Sequence, residues 1–86
     1  MDRARLLDEL RTLIVEELEL RDVAPADLAE DAPLFGGELA LDSLDALQLV
    51  VAVEERWGVR IPEGDEAREI LRSLRTLSEF VAAQSP

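Results

Sequence analysis

The sequence contains no cysteine and no histidine. The first absence rules out disulfides, thiolate metal sites and a cysteine nucleophile. Without imidazole as well, only an all-oxygen metal site would remain, and no metal is assigned. Lysine is missing too. The nine basic residues are all arginine, whose guanidinium stays protonated and cannot serve as a base. Aromatic residues make up only 3%, namely Phe35, Trp57 and Phe80, so the core has to be built from Leu, Val, Ile and Ala. No segment approaches the roughly 18 apolar residues of a membrane span. The stretch after Met1-Asp2-Arg3-Ala4-Arg5 is amphipathic and acid-rich, unlike the unbroken apolar core of a signal peptide. A soluble, cytoplasmic protein is expected.

What the chain has in abundance is negative charge. Its formal net charge is −11, unevenly spread. Residues 1–57 hold 15 acidic side chains and 5 arginines, whereas residues 58–86 hold 5 and 4. Such a field repels nucleic acid and anionic lipid and speeds encounter with basic protein surfaces. With 86 residues, the chain is expected to form a single domain over 1–86, a monomer burying somewhat more than about 60% of its unfolded surface.

The hydrophobic spacing is helical. Leu6, Leu10, Leu13, Ile14 and Leu18 recur every three or four residues, predicting a helix over 3–20 that Pro25 prevents from continuing. Residues 21–41 form a connection too long to be left loose in a compact domain. Val23, Leu28, Leu34 and Phe35 are its expected anchors, Pro25-Ala26-Asp27-Leu28 a short helical turn, and Gly36-Gly37 a point of backbone freedom. A second helix is predicted over 43–57, capped by Asp42, with Asp45 in the first turn and Gly58 as its stop. A short third helix over 64–71 turns Ala67, Ile70 and Leu71 inward. Thr76-Leu77-Ser78-Glu79 has the spacing of a capping box and predicts a last helix over 77–84. The expected fold class is all-α: a four-helix bundle of three main helices and one short one, with a long first loop.

Ser43 is the candidate functional residue. Serine is common at helix starts for structural reasons alone. Here, however, Asp42 already supplies the cap, which frees Ser43 to point outward at the first helical position. Unpaired N–H groups and the positive end of the helix dipole favour a phosphodiester there. The hydroxyl cannot be a catalytic nucleophile in its own right, for want of an imidazole or a lysine. It is therefore an acceptor in another enzyme's reaction, and no catalytic residue is assigned.

Several segments carry a resemblance that spans nearly the whole chain. They are the acidic first helix, Asp31-Ala32-Pro33-Leu34-Phe35, Leu41-Asp42-Ser43-Leu44-Asp45, Leu49-Val50-Val51-Ala52-Val53-Glu54-Glu55, Val59-Arg60-Ile61-Pro62 and the final Thr76-Leu77 helix. Together they resemble the acyl carrier protein family. The resemblance implies a 4′-phosphopantetheine arm attached covalently to Ser43 by a phosphopantetheinyl transferase, with Asp42 and Leu44 flanking the attachment. It also makes Asp42 a candidate ligand for the transferase's magnesium. Acyl cargo would travel as thioesters on the arm's thiol, which would answer the missing cysteine. Ketosynthases, acyltransferases and other acyl-processing enzymes with basic docking patches would be the partners.

The expected docking face lies on the second helix, where Leu44, Asp45, Leu47, Gln48, Val51, Glu54 and Glu55 share one side. Leu47 and Val51 suit the core equally well, whereas Leu49, Val50 and Val53 are assigned to it. Gln48 stands where many members have glutamate, and Arg56, Arg60, Arg68, Arg72 and Arg75 make the chain's later part mixed in charge. These departures fit a dedicated carrier for polyketide or other specialised acyl synthesis at least as well as the primary carrier of fatty-acid biosynthesis. The competing readings are a peptidyl or aminoacyl carrier and an unmodified acidic interaction module.

Overall fold

A computed structural model describes residues 2–35 and 42–84. Gly36-Gly37 and Leu41 lie outside the described residues. Four α-helices follow in order: α1 (Arg3–Glu17), α2 (Ser43–Trp57), α3 (Asp65–Ile70) and α4 (Leu74–Gln84). One turn of 3-10 helix, Pro25–Asp27, sits in the first loop where the proline was expected to start it. No strand occurs among the described residues, only an isolated bridge between Pro33 and Ser73. The all-α bundle expected from the periodicity is the fold observed. No helix among the described residues is long and apolar enough to cross a membrane.

The core is aliphatic. Leu6, Leu10 and Ile14 of α1 are fully buried against Leu74, Leu77 and Val81 of α4, with Leu49 and Val53 of α2 completing the centre. Leu7 is buried as well, whereas Leu13 and Leu18, placed on the same stripe by spacing, are only half-buried. The three aromatic rings pack against the edge of this cluster and leave its middle to branched side chains.

Two helix ends differ from expectation by three residues, and α3 is shorter than expected by one residue at each end. Helix α1 stops at Glu17, three residues early, in a Schellman turn: the Leu20 N–H reaches the Val15 carbonyl at 3.0 Å and the Glu19 N–H that of Glu16 at 3.3 Å. Glu19 takes the left-handed position at φ 52°. No glycine marks this stop, so the residue pattern carries no signal for it. Helix α4 starts at Leu74, earlier than the Thr76-Leu77-Ser78-Glu79 pattern indicated. The operative capping box is Ser73 with Thr76. The Ser73 N–H donates to Thr76 Oγ1 at 3.0 Å and the Thr76 N–H to Ser73 Oγ at 3.3 Å. Thr76 is thus the last residue of the box rather than the first.

The first loop is fastened along its length. Leu28 and Leu34 are buried, and Val23 and Phe35 half-buried. Arg11 of α1 donates to the Leu28 carbonyl at 2.8 Å, and Arg3 pairs with Glu30 at 2.6 Å. At the α4 end, the Leu34 N–H donates to the Arg72 carbonyl at 3.0 Å and the Arg75 N–H to the Glu30 carbonyl at 2.9 Å. The Arg75 guanidinium holds Asp31 through two nitrogens.

The hydrogen bond from Arg75, aided by its charge and that of Arg3, holds the Asp31 carboxyl below the ordinary carboxylate range. A lowered folded-state pKa contributes stability at pH values above the unfolded value, about 3.9, that is lost as pH falls through the folded one. Asp31→Asn is therefore expected to lower the melting temperature at neutral pH. Its deficit against the parent should close as the solution is taken below about pH 4, and should shrink in high salt, since the pair is exposed. Thermal unfolding followed by circular dichroism across that range checks both. Glu19→Gly should raise stability by about 1 kcal/mol by relieving the left-handed backbone; chemical denaturation measures it.

Candidate functional site

Ser43 is the first residue of α2, and its side chain is exposed. The local sequence explains this placement. Asp42 adopts extended backbone at φ −109°, and its Oδ1 accepts the Asp45 N–H at 3.0 Å. Asp45 Oδ2 accepts the Asp42 N–H in return, at 3.1 Å. Both carboxylates beside the serine are thus engaged with backbone donors, and the first turn is closed without any help from the serine hydroxyl. The first N–H groups of a helix lack intrahelical partners and carry the positive end of its dipole. A hydroxyl in that position is open to an incoming enzyme and favourably placed for an anionic substituent.

Ser43 also stands at the rim of a cleft of about 590 Å³ between α2 and the α3–α4 corner. Phe35, Ala46, Ala67 and Leu71 form its apolar surface. Its charged rim consists, among the described residues, of Asp42 on one side and Arg68 and Arg72 on the other. In the sequence these arginines stand out only as part of a mixed-charge segment. Their spacing of four was the available signal that they could share a face. An exposed hydroxyl, unpaired helix-start donors and an adjoining part-apolar cleft suit a phosphopantetheine arm sterically and electrostatically.

The second group of residues singled out in the sequence lies on the outer side of α2. Leu44, Leu47 and Val51 are 76%, 62% and 45% exposed. This places Leu47 and Val51 on the surface, while Leu49 and Val53 are completely buried and Val50 packs against the core. The apolar strip has Glu17, Gln48 and Glu55 around it. Not every polar residue expected on this face is free to serve it. Gln48 donates its amide to the Glu17 carbonyl, joining the end of α1 to α2. Glu54 is half-buried and accepts the Ile61 N–H at 2.8 Å, holding the Val59–Pro62 link. Arg56 turns towards α1, where it pairs with Glu9 at 3.1 Å and lies 5.2 Å from the centre of the Trp57 ring.

Comparison with known proteins agrees with this geometry. The family described as "Phosphopantetheine attachment site" matches residues 8–83. An acyl carrier protein of Streptomyces coelicolor is 36% identical over 95% of this chain and 88% of its own length. One from Treponema pallidum is 37% identical over 91% of this chain and 97% of its own. One from Thermosynechococcus vestitus is 31% identical, covering 94% and 93%. The chain belongs to the acyl carrier protein family, whose members bear phosphopantetheine.

The exposure pattern of α2 predicts opposite responses at neighbouring positions. Leu47→Ser and Val51→Ser should each change unfolding free energy by no more than about 0.5 kcal/mol. Leu49→Ala, in the core, should cost about 2–5 kcal/mol. Urea denaturation of the three variants tests the orientation of the helix.

Proposed function

We propose that this protein carries acyl intermediates on a phosphopantetheine arm attached to Ser43, and that residues 1–86 act as one carrier domain. The observation that supports the site most directly is the exposed hydroxyl of Ser43 at the head of α2, beside a cleft, in a chain of this family. In the loading reaction Ser43 Oγ attacks the β-phosphorus of coenzyme A. The new P–O bond to serine forms as the bond to the 3′,5′-bisphosphorylated adenosine breaks, and the hydroxyl proton passes to a base of the transferase. This chain has no histidine or lysine to accept it.

The bound arm supplies a terminal thiol, the nucleophile and leaving group for thioester exchange that the chain itself lacks. The protein's own contribution is to present the attachment point, keep the helix start intact through the Asp42–Asp45 box, and offer a recognisable surface. Leu44, Leu47 and Val51, with Glu55 beside them, form an apolar strip edged by negative charge. A strip of this kind fits ketosynthases, acyltransferases and transferases that present an apolar patch ringed by basic residues. Catalysis resides in those enzymes. The role in polyketide, fatty-acid or related acyl synthesis follows from the family, and the cytoplasm is the compartment where such enzymes and coenzyme A meet.

Incubation with coenzyme A and a broad-specificity transferase should add the mass of one phosphopantetheine to the parent protein and none to Ser43→Ala. Intact-protein mass spectrometry reads this directly. An unmodified parent after treatment with several transferases would overturn the assignment.

A further inference from the structure

The cleft beside Ser43 has a charge arrangement that the carrier role does not by itself require. In a molecule with net charge −11, its described rim carries one carboxylate, Asp42, and two guanidiniums, Arg68 and Arg72. Asp42 is already used: its Oδ1 caps Asp45. The arginines are much less committed. Arg68 makes no ion pair among the described residues. Arg72 reaches Glu69 Oε2 at 3.3 Å, in a pair whose side chains are 64% and 73% exposed. Exposed pairs of this kind are weakly held and readily exchanged for a better anion. The backbone of Arg72 is nevertheless anchored, because its carbonyl takes the Leu34 N–H at 3.0 Å. The side chain is therefore free to swing from a fixed base.

We propose that Arg68 and Arg72 bind the phosphodiester of the arm and draw its first segment along the cleft towards α3. The proposal rests on attachment at Ser43 and adds to it a direction and a set of partners. Charge complementarity supports it. A phosphodiester carries one negative charge, which the two guanidiniums of the described lining complement. The chemistry fits as well, since a planar guanidinium matches phosphate oxygens in a two-point geometry and is weakly hydrated. The apolar surface of Phe35, Ala46, Ala67 and Leu71 lines the same cleft and suits the uncharged carbon segment that follows the phosphate. Asp42, on the opposite rim, disfavours the same anion on its own side. The phosphodiester is thereby pushed from one wall and pulled by the other.

The test uses the full chain, nitrogen-labelled, before and after loading with coenzyme A and a transferase, with mass spectrometry to establish that each sample is loaded. Arg68→Gln/Arg72→Gln keeps hydrogen-bonding side chains at both positions while removing both charges. In the parent, the guanidinium N–H signals of Arg68 and Arg72 should shift on loading, while those of Arg5 and Arg21 stay in place. The phosphorus NMR line of the loaded double variant should differ from that of the loaded parent, and high salt should move the parent's line towards the variant's. A loaded parent with unmoved Arg68 and Arg72 signals, and a phosphorus line identical in parent and variant, would overturn the role of the arginines while leaving attachment at Ser43 standing. A parent that gains no mass would overturn both. Because both side chains are exposed, the double variant should fold as the parent does, and circular dichroism verifies this.

Discussion

The arrangement around Ser43 depends on how the first loop is fastened to the start of α4. Among the described residues of the link between α1 and α2, one turn of 3-10 helix is the only helical element, and tertiary contacts guide the rest. Leu34 supplies the constraint. Its side chain is buried, and its N–H is bonded to the carbonyl of Arg72. Burial of one leucine is worth about 1.5–3 kcal/mol, and the hydrogen bond spares a sequestered donor the cost of remaining unpaired. Glu30 and Asp31 strengthen the same junction through Arg3 and Arg75. Phe35, next in the chain, is thereby brought to the cleft that Ser43 borders. The cleft thus takes its described lining from the first loop, the start of α2 and the α3–α4 corner.

Much of this was legible from the residues alone. Helix α2 matched at both ends, because an aspartate cap, a first-turn aspartate and a closing glycine are strong and local signals. The buried and exposed sides of the same helix were less accessible. Leu47 and Leu49 are chemically identical, and only the packing of α1 and α4 determines which one is covered. The start of α4 was obscured because Ser73-Leu74-Arg75-Thr76 and Thr76-Leu77-Ser78-Glu79 both have capping-box character. The structure uses the first, where Thr76 can also donate to the Ile70 carbonyl at 2.8 Å. At the end of α1, the sequence offered no glycine, and a glutamate takes the strained position instead. The cleft was the feature least visible in advance, since its lining comes from the loop, α2 and the α3–α4 corner together.

The charged residues divide into those that hold the fold and those that remain available to a partner. Glu9, Glu30, Asp31 and Glu54 are occupied by arginines or by backbone. Glu55 is exposed beside Val51, and Asp45, although half-buried, keeps one carboxylate oxygen beyond its capping bond. A raw count of acidic residues on α2 therefore overstates the negative edge offered for recognition. Gln48, tied to the Glu17 carbonyl, contributes geometry in place of charge. The exposed strip this leaves is mostly apolar, with Leu44 its most exposed member.

The use of guanidinium rather than ammonium on the wall of the cleft has a chemical consequence for a carrier of acyl thioesters. Thioesters are acyl donors, and a primary amine held close to one would capture the acyl group as an amide that no downstream enzyme could retrieve. Lysine at position 68 or 72 would introduce such an amine on the cleft wall. Arginine stays charged and is non-nucleophilic, so the wall that Arg68 and Arg72 line presents no such group to a passing thioester.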